Sequence, residues 1–540
     1  MLLRAIAAAA GFSLTAALAW AVVTGLGTSA AEGWWDAGLR RLVVLAVVDR
    51  FDRAALVALA AAVVLGGAGW ALGARRGRAG GRLGRLLAVG IVALRVLAIA
   101  DVVARAGGPN VVLVSIDTLR ADRLGTYGHT LPTSPTIDGL AAEGVVFERA
   151  LSQSPKTTPS HMTMLTSLYP TAHGVELWET NTPGAVLNPA VTTLAEALKN
   201  AGWATGAFTG GANVDRARGF RQGFDVYRQS NQLPRALRFM RRNRFRKFFL
   251  FFHTFAVHDP YLPPDALIAR FAPGAKPAIV ETVRRLRTRA RGWEHAHAQF
   301  WAGVDPRTPE DVETVSRLYD AGIRHMDDTI VKPLLAELAA LGLAEDTLLV
   351  LTSDHGEAFA EHGRFLHGDL YVETLHVPLV VRFPGVLPAG TRVAAPVRLL
   401  DLMPTVLDLV GVPGPAAMQG TSLVPLVARA DAGASGARGP EDVVSEHDNA
   451  RAGRVLESLR RGPFTYILDG TAERLFDRDR DPGETVDVAA AAPDTVAAMR
   501  RRLAAWRETT QRLARAFRPL SSATPDDETL RRLRALGYVE

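Results

Sequence analysis

Two uninterrupted apolar runs, each followed directly by a carboxylate, constrain the fold of this chain more than any other feature. Residues 110–116 precede Asp117, and residues 348–353 precede Asp354 and His355. Apolar runs of this kind, rich in β-branched residues, are typical of strands buried on both faces of a mostly parallel sheet. In such sheets the ligand-binding groups lie at the carboxyl ends of the strands. The two runs therefore predict an α/β domain with these polar side chains at one edge of its sheet.

Helical and strand patterns alternate between the two runs, and this alternation favours a doubly wound layer of helices on a mostly parallel sheet. The pattern changes towards the C-terminus. Three short strands separated by turns follow there, at 455–461, 465–468 and 473–476. They predict a small antiparallel sheet. A helix is expected over 495–517. We place the catalytic domain at 106–430 and the antiparallel sheet with its helix in a C-terminal subdomain at 431–540.

The first hundred residues differ from the rest because they are dominated by apolar runs. Residues 5–27 and 54–74 carry no charge and are each long enough for the roughly 20 residues of a spanning helix. A third run, 86–104, contains two charges and is weaker. An arginine-rich loop before it is expected in the cytoplasm, so three crossings place the remaining chain outside. We predict a membrane anchor at 1–105 with about three transmembrane helices. The protein is then a multi-pass protein of the inner or plasma membrane with an extracytoplasmic catalytic domain. A cleaved signal peptide is the alternative for the first run.

The composition excludes two kinds of chemistry. The 540 residues include no cysteine, so the chain has neither a disulfide framework nor a thiolate nucleophile. The net charge of +7 comes mainly from arginines that are interspersed with acidic residues. Because no basic stripe stands out, we expect no nucleic-acid partner.

A loop that leads into a helix carries a hydroxyl at its entrance. In the stretch 154–167, Pro159 is expected in the first helical turn, and Thr157 lies just upstream. The unpaired N–H groups and the dipole of a helix N-terminus attract anions such as phosphate or sulfate. Thr157 is therefore a candidate nucleophile, although a plain helix cap is the common role of such a residue.

Asp117, Asp354, His355 and Thr157 together offer oxygen and nitrogen donors for one hard divalent cation: manganese, zinc, calcium or magnesium. A bound metal can also activate a threonine hydroxyl, whose own pKa is too high for attack at neutral pH. Aspartates at strand ends are often only turn residues or helix caps. The hypothesis of a metal site therefore depends on these residues meeting in space.

Residues 108–484 resemble the sulfatase branch of the alkaline-phosphatase superfamily. The similar motifs occur in the order of that family: Val114–Asp122, Thr157–His161, Leu165–Pro170, His258–Tyr261, Thr352–Glu357, Gln419–Leu423, Leu475–Asp477 and Asp481–Glu484. The resemblance implies a doubly wound α/β domain with a small antiparallel sheet packed on it, as the strand patterns also predict.

The resemblance also implies roles. Asp117, Asp354 and His355 match metal ligands of the family, and Thr157 falls at the position of its nucleophile. His258 matches a histidine that contacts the transferred group or protonates the leaving group. A loop histidine stacked on Tyr261 is the alternative for His258.

Two further residues are candidates for contact with the anion. His367 lies where sulfatases often have an anion-binding lysine, and Lys156 stands beside the candidate nucleophile, where it could stabilise oxyanion charge. An exposed loop histidine and a solvated loop lysine are the alternatives.

The chain departs from the sulfatase pattern at the nucleophile. Sulfatases that use formylglycine need cysteine or serine followed by x-Pro-x-Arg, whereas this chain has Thr157 and, in place of the arginine, His161. Threonine cannot be oxidised to the aldehyde, so no formylglycine is expected. Thr118 replaces the second of the paired aspartates. With these departures the chain resembles threonine-dependent phosphodiesterases and lipid-linked phosphoglycerol or phosphoethanolamine transferases. One metal ion is expected, because no second ligand set shows suitable spacing.

The sequence thus predicts a membrane-anchored metalloenzyme that hydrolyses or transfers a phosphate ester of the phosphodiester or phosphoglycerol type through Thr157. The expected substrate is an envelope lipid head group or a surface glycan ester. Two alternatives stay open: a sulfatase that works without formylglycine, and a catalytically inactive homologue that binds a metal and an anion.

Overall fold

The computed structural model describes residues 108–176, 183–229, 233–288, 295–433, 439–449 and 453–539. The predicted membrane spans lie outside these residues. Within the described ranges, none of the helices combines the length and the apolarity that crossing a bilayer requires. The membrane anchor and the location of the chain therefore stay predictions.

A nine-stranded mixed sheet forms the centre of the compact unit made by residues 109–237 and 248–540. Its strands in chain order are β1 Asn110–Ile116, β2 Val145–Leu151, β3 Ala204–Phe208, β4 Val226–Arg228, β5 Phe248–Thr254, β6 Thr347–Thr352, β7 His376–Val377, β8 Leu379–Arg382 and β9 Thr391–Arg398. They lie in the order β7-β2-β8-β6-β1-β5-β3-β4, and β9 pairs with β2. This confirms the predicted α/β class.

The middle of the sheet is parallel, and this brings the polar strand ends to one edge. β1 lies between β5 and β6 and runs parallel to both. Ser115 is in register with His253 on one side and with Thr352 on the other. The residues that follow β1 and β6 therefore emerge side by side. β8 runs antiparallel between β2 and β6, and the short β7 also runs antiparallel to β2.

Both faces of the sheet are covered. Val111 and Leu113 of β1 belong to the largest apolar cluster, while Val112 and Val114, which point to the opposite face, are buried as well. The α-helices of the described residues are α1 Pro135–Ala142, α2 Thr157–Thr166, α3 Pro170–His173, α4 Leu194–Asn200, α5 Leu233–Asn243, α6 Asp265–Phe271, α7 Pro277–Thr288, α8 Ala296–Trp301, α9 Pro309–Met326, α10 Lys332–Ala340, α11 Val372–Leu375, α12 Leu402–Leu409, α13 Val424–Asp431, α14 Pro493–Phe517 and α15 Asp527–Ala535. A π-helical turn, Asp327–Val331, joins α9 to α10.

The second sheet has four antiparallel strands: β10 Val443–Asn449, β11 Arg454–Arg461, β12 Phe464–Asp469 and β13 Ala472–Asp477. The sequence predicted the last three, and β10 adds a strand before them. Helix α14 packs on this sheet through a buried cluster that includes Tyr466, Leu475 and Met499. The predicted antiparallel sheet and helix are therefore present, whereas the proposed boundary at residue 430 stays a prediction.

Helix α2 begins earlier than the sequence indicates. Thr157 is its first residue and Lys156 its N-cap, so Pro159 is the third helical residue and lies in the first turn, as predicted. Thr157 lies at the helix N-terminus, as predicted, but inside the helix and not just upstream of it. Thr157 is instead part of the first turn, where backbone N–H groups lack intrahelical partners.

Candidate active site

Three of the four predicted metal ligands meet at the carboxyl ends of β1 and β6. One donor atom each of Asp117, Asp354 and His355 lies within 4.8 Å of the others, and all three side chains are fully buried. Among the described residues, Oδ1 of Asp117 and Oδ2 of Asp354 have no hydrogen-bond partner. His355 Nδ1 donates to the carbonyl oxygen of Gly356 at 2.9 Å, so its Nε2 atom is left as the acceptor that faces the two carboxylates.

The charges of this cluster fit a divalent cation. Burial and then the neighbouring Asp354 carboxylate raise the pKa of Asp117 well above its usual value. Burial would also raise the pKa of Asp354, but His355 and the other nearby imidazoles outweigh it and lower that pKa. Two buried carboxylates with unpartnered oxygens beside an imidazole form a hard oxygen and nitrogen donor set. A cation would satisfy these oxygens and offset their mutual repulsion.

The backbone around the cluster is held in an uncommon conformation. Thr118, which stands where the family has a second aspartate, has φ of 59°. Its N–H donates to Asp354 Oδ1 at 3.3 Å, and its hydroxyl donates to the carbonyl oxygen of Asp117 at 2.7 Å. Left-handed backbone at a threonine is unusual and concentrates at functional sites. Thr118 therefore holds the Asp354 carboxylate and the backbone of Asp117 without adding a ligand to the cluster.

The candidate nucleophile faces the cluster from the N-terminus of α2. Thr157 is buried, and its Oγ1 atom lies 3.4 Å from His355 Nε2. His161, one turn further on, donates from Nδ1 to the carbonyl oxygen of Thr157 at 2.8 Å and accepts at Nε2 from the Ser115 hydroxyl at 2.8 Å. His161 thus ties the first turn of α2 to β1. His161, which stands in the place of the family's arginine, therefore holds the backbone of the candidate nucleophile in position.

The rings of His258 and His367 pack edge to face, and the ring centroid of His367 also lies 4.4 Å from that of His355. His258 Nδ1 donates to the carbonyl oxygen of Asp259 at 2.8 Å, which leaves Nε2 facing the site. Burial alone would lower the pKa of His258, but the Asp259 carboxylate outweighs it and raises this pKa to about 10. His258 is therefore protonated at neutral pH and can donate a proton. Its ring packs against His367 and Phe255, not against Tyr261 as the alternative interpretation expected.

His367 lies beside the candidate nucleophile and metal ligands, and its alternative as an exposed loop residue is wrong. Only 5% of its side chain is exposed, and its Nδ1 atom donates to Glu357 Oε1 at 3.0 Å. Lys156 donates from Nζ to the carbonyl oxygen of His367 at 3.1 Å, and both residues line a cavity of about 300 Å³. Burial, followed by the charge of Asp259, raises the pKa of Glu357 to about 8. The candidate anion contacts therefore border one cavity beside the nucleophile.

Two further residues belong to the candidate site: His253, which the sequence suggested only as a ligand of a second metal ion, and Tyr538, which was not predicted. His253 closes β5 and donates from Nε2 to Asp117 Oδ2 at 3.1 Å, while its Nδ1 atom accepts from the N–H of Gly210. Its place at the end of a third buried strand was the available signal. Tyr538, in the segment that follows α15, lies between Thr157 and His258, with its hydroxyl 3.0 Å from both side chains. No local pattern marked Tyr538.

The fold and the site together define a class of α/β hydrolases in which a buried acidic metal cradle faces a hydroxyl at a helix N-terminus. Comparison with known proteins gives the family. The Sulfatase family model matches residues 109–412, and a model described as N-sulphoglucosamine sulphohydrolase, C-terminal, matches 360–509. The chain therefore belongs to the sulfatase family of the alkaline-phosphatase superfamily, and it is a sulfatase-family hydrolase.

Relatives and solved structures agree with this assignment. Arylsulfatase K of Rattus norvegicus is 26% identical over 438 residues, which cover 72% of this chain and 76% of that protein. The crystal structure of the phosphonate monoester hydrolase of Agrobacterium radiobacter has a TM-score of 0.60 and 22% identity, covering 74% of this chain and 96% of that one. A structure in complex with its substrate D-glucosamine-2-N,6-O-disulfate has a TM-score of 0.60 and 18% identity, covering 76% and 99%. At these identities the solved structures show a shared fold.

Proposed function

We propose that this protein cleaves or transfers a phosphate ester, with Thr157 as the nucleophile and one divalent cation held by Asp117, Asp354 and His355. The observation that carries the proposal is the position of the Thr157 hydroxyl, buried at the start of α2 and 3.4 Å from His355 Nε2. A hydroxyl beside a candidate metal ligand and at the positive end of a helix is well placed to attack an anionic ester.

A cation held by Asp117, Asp354 and His355 would supply positive charge that lowers the energetic cost of negative charge on Thr157 and on the ester. The chain itself does the rest. The Thr157 hydroxyl gives its proton to a water molecule, Oγ1 forms a bond to phosphorus, and the bond between phosphorus and the leaving oxygen breaks. His258 Nε2 gives its proton to that leaving oxygen. Water or an acceptor alcohol then attacks the phosphothreonine and gives its proton to His258 Nε2. The bond between phosphorus and Oγ1 breaks, and Oγ1 takes up a proton from water, which regenerates Thr157.

Threonine favours phosphate over sulfate as the substrate. An aldehyde nucleophile is not accessible from Thr157, because the side chain carries a secondary alcohol that oxidation converts to a ketone. The mechanism that remains is direct attack by the Thr157 alcohol, as in threonine-dependent phosphoryl transfer.

Sulfate-ester hydrolysis without formylglycine is the second candidate. It is favoured by the similarity to Arylsulfatase K and by the two sulfatase-type family models. The same residues would serve it, because sulfate and phosphate esters share tetrahedral geometry and developing negative charge. The two candidates differ only in the atom that Thr157 attacks.

The leaving group is proposed to be hydroxylated, as in a glycan or a phosphoglycerol head group. The cavity of about 300 Å³ beside Lys156 is also lined by His447 and Glu373. Among the described residues, both ring nitrogens of His447 and Oε2 of Glu373 lack a hydrogen-bond partner. A ring that offers a donor and an acceptor beside a carboxylate suits the hydroxyl groups of a polyol. Membrane anchoring through residues 1–105 would place that substrate at the cell envelope.

One assay tests the proposal and its rivals. Full-length protein in detergent is assayed on aryl sulfate, phosphate monoester and phosphodiester substrates, with and without Mn²⁺ or Zn²⁺. Thr157→Ala is compared with Thr166→Ala, which removes a buried hydroxyl that bonds only around the far end of α2. We expect metal-dependent phosphodiester turnover that Thr157→Ala abolishes and Thr166→Ala retains.

The other outcomes decide between the alternatives. Faster turnover of aryl sulfate than of both phosphate substrates would establish the sulfatase. Absence of metal-dependent turnover on every substrate would support an inactive binding homologue. Undiminished turnover by Thr157→Ala would refute the nucleophile.

A further inference from the structure

The hydroxyl of Tyr538 lies where three candidate catalytic side chains converge. It is 3.0 Å from Thr157 Oγ1, 3.0 Å from His258 Nε2 and 3.5 Å from His367 Nε2. These are the groups that the proposed function assigns to the nucleophile, the acid and the anion contact. An atom within hydrogen-bond distance of all three is close enough to contact the reacting group directly.

The segment that carries Tyr538 is anchored to loops at the same edge of the sheet. Helix α15 is capped by Asp526, whose side chain accepts from the N–H of Thr529. The Thr529 hydroxyl donates to Asp215 Oδ2 at 2.7 Å, and Arg532 Nη1 donates to the carbonyl oxygen of Gly210 at 3.1 Å. Both partners lie in the loop after β3. The contacts therefore fix α15 beside the mouth of the site.

A glycine turn directs Tyr538 from α15 into the site. Gly537 has φ of 75°, and a Cβ atom there would lie 2.5 Å from the ring of His297. Any other residue at this position would meet both backbone strain and a steric clash. Beyond the turn, Tyr538 and Val539 pack with Leu533 and Ala212 in a small buried cluster. The turn and the cluster together hold the phenol ring in one position.

We infer that Tyr538 is a further catalytic residue, whose hydroxyl donates a hydrogen bond to an oxygen of the group that Thr157 receives. The inference rests on the proposed function. In the structure the phenol hydroxyl lies 3.0 Å from His258 Nε2, accepts a hydrogen bond from it and keeps its own proton to donate. With the ester bound, His258 Nε2 turns to the leaving oxygen. With an ester bound, the proton that now bridges to Thr157 or His367 turns to the transferred group. Negative charge on that group in the transition state strengthens the bond.

Tyr538→Phe tests this role because it keeps the ring and removes only the hydroxyl. On the substrate that the wild-type protein turns over fastest, we expect kcat to fall roughly 10- to 100-fold with a smaller change in KM. Tyr466→Phe is the matched control, since it removes a buried hydroxyl that bonds within the C-terminal sheet. It should leave kcat unchanged. An unchanged or higher kcat for Tyr538→Phe would overturn the inference, the higher value indicating that the hydroxyl blocks the site.

A binding measurement separates this inference from the proposed function. Titration of inorganic phosphate into the Mn²⁺-loaded protein, followed by calorimetry, reports the anion contact without turnover. We expect Tyr538→Phe to weaken phosphate binding roughly tenfold, and Gly537→Ala to do the same by displacing the ring. If no substrate is turned over but phosphate binding weakens as stated, the proposed function fails and Tyr538 remains an anion contact. Equal phosphate affinity in all variants would refute Tyr538 alone.

Discussion

The candidate site is assembled from two regions that are held in different ways. The strand-end cluster of Asp117, Asp354 and His355 follows two central strands, and the side chains of all three are fully buried. Each of these strands is hydrogen-bonded to neighbours on both sides. The C-terminal segment, residues 526–539, consists of one short helix and a turn. It is fixed by a few hydrogen bonds to loops and by a buried cluster separate from the largest core.

The difference matches the tasks of the two regions. Two carboxylates repel each other at close range, so only a rigid frame keeps them together in the absence of a cation. A residue that contacts a bound ester must instead let the ester enter. Segments with few buried contacts open at a small fraction of the free energy of global unfolding. We therefore expect the strand-end cluster to determine metal binding and the C-terminal segment to determine access and turnover.

The largest effect is expected from the strand-end cluster. Asp354→Asn keeps the shape of the side chain and removes one charge from the metal cradle. Because a bound metal contributes several kcal/mol to charge stabilisation, kcat/KM should fall about 10³-fold. Mn²⁺ titration by calorimetry should show correspondingly weaker binding.

Asp401→Asn is the control for this change. Asp401 is equally buried, but its carboxylate accepts from Arg398 and from the N–H of Thr421, outside the metal cradle. It should lower stability and leave the Mn²⁺ affinity unchanged. Equal Mn²⁺ affinities of Asp354→Asn and the wild type would show that the cradle does not hold the ion.

The next prediction tests whether the C-terminal segment opens separately from the unfolding of the central sheet. Leu533 in α15 and Leu113 in β1 are both buried, so alanine at either position should remove about 3 kcal/mol. For Leu113→Ala we expect that loss in the free energy of global unfolding. For Leu533→Ala we expect it in local opening, seen as roughly 100-fold faster amide exchange over residues 527–539 at a nearly constant unfolding midpoint. Equal falls in global stability for both variants would remove the distinction between the regions.

A smaller effect is expected at His253, which supports the cluster without belonging to it. His253 Nε2 donates to Asp117 Oδ2 at 3.1 Å. Loss of such a supporting hydrogen bond typically weakens metal binding 10- to 100-fold. His253→Gln should therefore bind Mn²⁺ that much more weakly. His376→Gln, at a partly buried histidine that bonds to the carbonyl oxygen of Glu148, should bind it normally. An unaltered affinity in His253→Gln would show that Asp117 needs no such support.

The strand-end cluster was predictable because its signals are local. An apolar run of strand length followed by a carboxylate identifies both the strand and its functional end, as at Asp117 and Asp354. The loop before α2 was found through its proline, although the helix begins at Thr157, two residues before Pro159. The antiparallel insertion of β8 between β2 and β6 was not predicted, because strand order depends on pairing between distant residues.

Tyr538 could not be predicted for the same reason. Its contact with Thr157 joins residues 381 positions apart, and the amphipathic helix before it resembles any surface helix. A glycine followed by tyrosine also carries no specific signal. What brings the phenol to the nucleophile is the docking of α15 on the loop after β3, which only tertiary packing determines.

The smallest effect compares one helix cap in each region. Asp526 caps α15, and Thr193 caps α4 in a capping box with Glu196. Replacing either cap by alanine should cost about 1 kcal/mol of helix stability. In Thr193→Ala that loss should appear as a lower midpoint of global unfolding, because α4 packs in the largest core through Leu194 and Leu198. In Asp526→Ala it should appear as about fivefold faster amide exchange and limited proteolysis near residue 526, with an unchanged midpoint. An unfolding midpoint lowered equally by both changes would mean that α15 unfolds only with the sheet, and that the ester reaches Thr157 without the segment opening.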